Sequence, residues 1–91
     1  MIDSPLAVLC DTHVIPILLF LSEHGDSRKT DIYGAVGRST NLPRKLEAME
    51  EAGLLRQEIR GSAVMVGLTD LGRDVVDALH GIGDMMSRDR N

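Results

Sequence analysis

The middle of the chain carries most of the side chains that can bind a polyanion. Residues 28–60 contain seven basic and five acidic side chains and so have a net charge of +2. Five of the basic residues lie between Arg28 and Lys45, a stretch that contains only one acid. The flanking segments 1–27 and 61–91 have net charges of −4 and −2. A basic segment within a chain of net charge −4 predicts a local anion-binding surface, because the distribution of charge matters more than its sum.

The residue types in this segment match two kinds of contact to DNA. Arg pairs with guanine and Asn with adenine through two hydrogen bonds, and each good pair gives about 1–3 kcal/mol of discrimination. Basic side chains and the free N–H groups at a helix start bind phosphate. We therefore predict DNA contacts for ten residues: Arg28, Lys29, Arg38, Ser39, Thr40, Asn41, Arg44, Lys45, Arg56 and Arg60.

The elements that must position these side chains are predicted from helix caps, glycine stops and apolar spacing. They follow one another as helix, helix, helix, β-hairpin and helix in a single domain over residues 1–91. This is a mainly α fold with a β-hairpin (α+β). After a helix start at Ser4 and Pro5, the predicted helices and strands span 12–24, 28–36, 41–52, 54–59, 63–68 and 70–87.

The third predicted helix, residues 41–52, separates an apolar face from a polar one. Leu42, Leu46 and Met49 follow the i, i+4, i+7 spacing of a buried face. The opposite face then presents Asn41, Arg44, Lys45 and Ala48. We expect the acids of its C-terminal half to lie away from DNA phosphates; these are Glu47, Glu50 and Glu51.

Two short motifs stand out, LEAMEEAGLL at residues 46–55 and LTDLGR at residues 68–73. They resemble winged helix-turn-helix transcription regulators of the MarR, ArsR and PadR type. The first is similar to the end of a recognition helix that passes into a wing, and the second is similar to the junction between wing and last helix. The resemblance covers roughly residues 9–80. It implies a recognition helix over 41–52 in the major groove and a wing over 56–66 on the flanking DNA backbone.

The last predicted helix has an apolar stripe that is typical of pairing with a second copy. Its members step by 4, 4, 3 and 4 residues, which is near the heptad spacing of paired helices. Two recognition helices on a palindromic site are also the common arrangement in this class of protein. We predict a homodimer with an interface that contains Leu71, Val75, Leu79, Ile82 and Met86.

Other functions have little support in the sequence. His13, His24 and His80 are unclustered and Cys10 stands alone, so we predict no metal site, and no pattern of catalytic residues or cofactor motif stands out. Cys10 lies in an apolar run, where we expect a buried small hydrophobic residue. We predict a soluble cytoplasmic protein from three features. The chain has a single cysteine, no basic residue precedes the first apolar stretch, and no apolar run is long enough for a membrane span.

Two alternatives stay open from the residues alone. The overall acidity favours a winged helix that binds protein as an assembly module without DNA, whereas the basic segment opposes it. A regulator gated by a small effector at the dimer interface is also compatible with the sequence, which identifies no effector. The salt dependence of binding separates the first alternative from DNA binding, since affinity based on phosphate contacts falls steeply with salt.

Overall fold

The computed structural model describes residues 4–37 and 41–89, and within them the helices and strands follow the predicted order with one addition. The addition is a two-residue strand before the second helix. The elements are a 3-10 helix Pro5–Cys10, α1 Val14–His24, β1 Ser27–Arg28, α2 Lys29–Val36, α3 Leu42–Glu51, β2 Leu55–Arg60, β3 Ala63–Leu68 and α4 Asp70–Asp89.

The first segment begins where its cap predicts but is not an α-helix. The Ser4 hydroxyl accepts a hydrogen bond from the Leu6 backbone N–H at 3.1 Å, which satisfies one of the free donors at the helix start. The helix lies on the surface, and none of its residues is fully buried. Cys10 is therefore exposed, and the expectation that it is buried is wrong.

The sheet is antiparallel in the order β1-β3-β2. Strands β2 and β3 form the predicted hairpin, with Arg60 opposite Ala63 and a two-residue turn at Gly61 and Ser62. Gly61 has φ +61°, the conformation that the first central position of such a turn requires. Strand β1 pairs with β3 through only two residue pairs, which is too short to leave a periodic pattern in the sequence.

The core is aliphatic and lies between the helices and one face of the sheet. Leu42, Leu46 and Met49 of α3 are completely buried, as predicted. Among the described apolar side chains of α4, that of Val76 is fully buried, whereas that of Val75 is only partly buried. The other members of the core come from α1, α2, the end of α3 and the hairpin: Val14, Ile17, Leu18, Leu21, Ile32, Leu54, Leu55, Val66 and Leu68.

One junction joins the end of α3, the hairpin and the start of α4. The Thr69 hydroxyl donates to the carbonyl of Gly53 and accepts from the backbone N–H of Gly72 at 3.0 Å. The Thr69 backbone N–H donates to the carbonyl of Leu54 at 3.2 Å. Through these bonds the two motifs of the sequence analysis touch each other, and they set the position of the wing relative to α3.

Candidate nucleic-acid interface

The exposed face of α3 has Arg44 at its centre. The buried residues of α3 point toward the core, and Arg44 lies on the opposite side of the helix. It borders a shallow surface depression of about 360 Å³ together with Glu47, Ala48 and Glu51. Within residues 4–37 and 41–89, Arg44 has no ion-pair partner. Its guanidinium is therefore available to an external acceptor.

Two of the three acids of α3 share that face. Glu47 and Glu51 follow Arg44 by three and seven residues, so the helical repeat brings them to the same side. Glu50 lies on a flank instead. Its carboxylate accepts from the backbone N–H of Gln57 at 3.0 Å and from the Gln57 side-chain amide at 3.2 Å. The contact ties α3 to strand β2.

The other flank of α3 is held by an ion pair. The Lys45 ammonium donates to both carboxylate oxygens of Asp11, at 2.8 and 2.7 Å. This hydrogen bond, followed by one from the backbone N–H of His13, lowers the pKa of Asp11 below its ordinary value. Lys45 was predicted to contact DNA, but in this structure its charge is neutralised from within the chain. No sequence signal pointed to Asp11, which lies 34 positions away.

The start of α2 lies beside the hairpin. Arg28 and Lys29 border a second depression of about 360 Å³ together with Ser62, Ala63 and Val64. The acid in this basic stretch, Asp31, accepts from the backbone N–H of Arg28 at 3.1 Å and so caps α2. The arrangement brings two predicted phosphate-binding residues next to the tip of the wing.

Strand pairing gathers three arginines on the outer face of the sheet. Arg28 lies opposite Met65, which in turn lies opposite Glu58. Arg56 and Arg60 share the face of Glu58, since alternate residues of a strand point the same way. Glu58 and Arg60 form an ion pair at 3.2 Å. Gln57, which contacts α3, lies on the opposite face.

The remaining predicted contact residues lie near the start of α3. Asn41 precedes this helix as its N-cap residue and is exposed, with a left-handed φ of +54° that Asn tolerates better than most residues. Arg38, Ser39 and Thr40 lie outside the described residues.

An apolar surface lies on another part of the molecule. A groove of about 290 Å³ runs between the 3-10 helix, the end of α3 and the start of α4, and its lining includes Leu6, Leu9, Leu71 and Val75. Beyond Leu79, every described side chain of α4 is exposed, including the apolar Ile82, Met85 and Met86.

The described residues contain no group of three or more His, Cys, Asp or Glu side chains that can hold a metal ion. A search of the same residues finds no helix with the length and apolar character needed to cross a membrane.

The fold is that of a winged helix-turn-helix domain, with α2 and α3 as the paired helices and β2–β3 as the wing. Rv0081 of M. tuberculosis has a similar crystal structure, with a TM-score of 0.78 and 22% identity over 96% of this chain and 91% of that one. AF1382 from Archaeoglobus fulgidus has a TM-score of 0.71 and 22% identity over 91% and 97%. An ArsR family transcriptional regulator, RHA00566, has a TM-score of 0.65 and 15% identity over the whole of both chains. No family model matches the chain, and no curated protein matches it in sequence.

Proposed function

We propose that this chain binds double-stranded DNA in a sequence-specific manner and regulates transcription. One observation carries the proposal. Six of the predicted DNA-binding residues are described cations, and four of them have no ion-pair partner within residues 4–37 and 41–89: Arg28, Lys29, Arg44 and Arg56. Regulation of transcription is supported by one structural neighbour, which is an ArsR family transcriptional regulator.

We assign base contacts to α3, and phosphate contacts to the start of α2 and the wing. The N-terminal half of α3 enters the major groove, with Arg44 and Asn41 at base edges. Arg28, Lys29 and the wing contact the phosphates on either side. Glu47 and Glu51 limit the insertion to this half of the helix, because carboxylates repel the DNA backbone. Each phosphate contact adds about 0.9 to the slope with which log affinity falls against log salt.

The proposal includes a homodimer formed through the apolar side of α4. Of the predicted interface, Val75 and Leu79 pack partly on their own core, whereas Ile82 is 48% and Met86 is 63% exposed. Helix α4 has 20 residues and is about 30 Å long, and its C-terminal half exposes three large apolar side chains, Ile82, Met85 and Met86. A second copy that covers this surface would join two copies of α3 in one assembly, as binding to a palindromic site requires.

Selection from a random duplex library at two salt concentrations tests DNA binding. We expect retained sequences to share a palindrome with half-sites about 10 base pairs apart, one helical turn, as a symmetric dimer requires. Arg44→Ala should weaken binding to the selected site by about 1–3 kcal/mol and relax the preference at one base pair.

Arg88→Ala is the matched control, because it removes the same charge from an exposed position near the end of α4. It should bind the selected site as the parent does. Equal affinities of the Arg44→Ala variant and the parent across several salt concentrations would contradict the assignment of α3 as the recognition helix.

Sedimentation of an Ile82→Glu, Met86→Glu variant tests the dimer. Two carboxylates in the interface should convert the dimer to a monomer and leave helix content unchanged, since both side chains are exposed in the single chain. His80→Glu adds a carboxylate at an exposed position on the other side of α4 and should remain dimeric. A parent that sediments as a monomer would refute this part of the proposal.

A second candidate function is protein binding through the exposed face of α3. Glu47 and Glu51 beside Arg44 favour it, because this face carries more acidic than basic charge. The library selection also decides this point. No retention of DNA even at low salt would favour the protein-binding module.

A further inference from the structure

We propose that Asp11 limits the number of DNA phosphates that this chain neutralises by holding the Lys45 ammonium away from the backbone. The inference rests on the DNA binding proposed above and assigns a role to an acid outside the predicted interface.

The geometry of the Asp11–Lys45 ion pair holds the Lys45 ammonium against the Asp11 carboxylate. The ammonium has three donors, and two of them reach the two oxygens of one carboxylate at 2.8 and 2.7 Å. The Lys45 side chain is only 19% exposed, although lysines are among the residues that are least often buried. The pair as a whole carries no net charge, so a phosphate gains little by approaching it.

Asp11 cannot follow Lys45 toward DNA. It lies between the 3-10 helix and α1, and its carboxylate also accepts the backbone N–H of His13 at 2.9 Å. If Lys45 moved to a phosphate, the Asp11 carboxylate would lose its main partner and be left near the negative charge of the duplex. Such a movement would replace the ion pair of Lys45 with Asp11 by one with a phosphate, and it would add a repulsion between Asp11 and the duplex.

The neighbouring residue Arg44 has the opposite arrangement. It lies at the centre of the exposed face and has no ion-pair partner among the described residues, whereas Lys45 lies on the flank beside Asp11. Two adjacent cations on one helix therefore differ in availability. The side chain suited to recognise a base stays free, and the one that would add a contact to any phosphate is neutralised.

Asp11→Asn tests the proposal, because the amide keeps an oxygen for the His13 N–H and loses the charge that holds Lys45. Released Lys45 should add one phosphate contact per chain, which makes two in the proposed dimer. The slope of log affinity against log salt should then steepen by about 1.8, a further loss of about 12-fold over a fourfold rise in salt. Asp11→Asn with Lys45→Gln should return to the parent slope, and Lys45→Gln alone should leave it unchanged.

Asp70→Asn is the matched control, since it changes the net charge equally and removes the partner of Arg73, which is 2.8 Å away on α4. Its slope should equal that of the parent. An equal steepening in Asp70→Asn and Asp11→Asn would show that net charge explains the effect and would overturn the proposal. A flatter slope for Lys45→Gln alone would show that Lys45 already contacts phosphate, and would overturn it too.

A measurement without DNA separates this proposal from the function on which it rests. The chain has two lysines, Lys29 and Lys45, and their rates of acylation are measured by mass spectrometry. Asp11→Asn should accelerate the reaction of Lys45, because the amine is no longer held in an ion pair that leaves its side chain only 19% exposed, and should leave Lys29 unchanged. An unchanged acylation rate of Lys45 in this variant would refute the claim that Asp11 holds its ammonium. Acceleration without any DNA binding by the parent refutes the proposed function and, with it, the role on DNA.

Discussion

The two halves of α4 contain the same residue type in opposite surroundings. Gly72, in the first turn, is buried, and a Cβ there would overlap the carbonyl oxygen of Leu54. Gly81 and Gly83, in the C-terminal half, have nothing within 4 Å of a Cβ position. The first half of the helix belongs to the packed body of the domain. The second half extends from it with exposed apolar side chains, so that it is free to bind a partner without a cost to the core.

The largest expected effect is that of Gly72→Ala. The added methyl group meets backbone atoms, which cannot rotate away as a side chain can, so helix and hairpin must move apart. We expect a loss of about 3 kcal/mol in the free energy of unfolding, measured by urea denaturation at matched protein concentration. An unfolding midpoint equal to that of the parent would contradict the close packing of the first half.

A smaller loss is expected for Thr69→Val, which keeps the shape of the side chain and removes its hydroxyl. The carbonyl of Gly53 and the N–H of Gly72 then lose a partner in a partly buried site. We expect a loss of about 1–3 kcal/mol in urea denaturation. Thr12→Val, at an exposed position, should change stability by less than about 0.5 kcal/mol, and an equal loss in the two variants would exclude a special role for Thr69.

The smallest effect, of opposite sign, is expected for Gly81→Ala and Gly83→Ala. Neither methyl group meets another atom, and alanine has less conformational freedom to lose when the helix forms. We expect each substitution to stabilise the protein by about 0.5–1 kcal/mol, seen as a higher urea midpoint and stronger helical circular dichroism. A loss of stability in one of the two variants would indicate that a second copy packs closely against that glycine, and would place the dimer contact on its side of α4, because the two glycines face nearly opposite sides of the helix.

The residues through which the two motifs of the family resemblance meet have a structural role. Thr69 and Gly72 of one motif meet Gly53 and Leu54 of the other at the junction of α3, hairpin and α4. This is why the resemblance predicted the fold correctly over most of the chain. It does not predict a DNA sequence, because the two residues proposed to contact bases, Asn41 and Arg44, lie outside both motifs.

Local sequence patterns predicted the structure correctly where a single helix or strand determines burial and bounds. Leu42, Leu46 and Met49 are buried as their spacing predicts, and β3 spans the predicted residues 63–68. The hairpin turn follows from Gly61. The candidate site was predicted less completely. The sequence indicated which residues are basic, but it does not distinguish Lys45, which Asp11 neutralises, from Arg44, which has no ion-pair partner among the described residues.

The sequence by itself therefore determined the helix bounds, the buried face of α3, the hairpin and the segregation of charge. The reason is that helix caps, glycines and apolar periodicity act within a few residues. Contacts between distant segments were decided only by the tertiary structure. These include the pairing of β1 with β3, the burial of Val76 on α4, and the ion pair of Asp11 with Lys45. The physical reason is the same for all three: each depends on how two surfaces meet, and the partner of each residue lies too far along the chain to leave a local pattern.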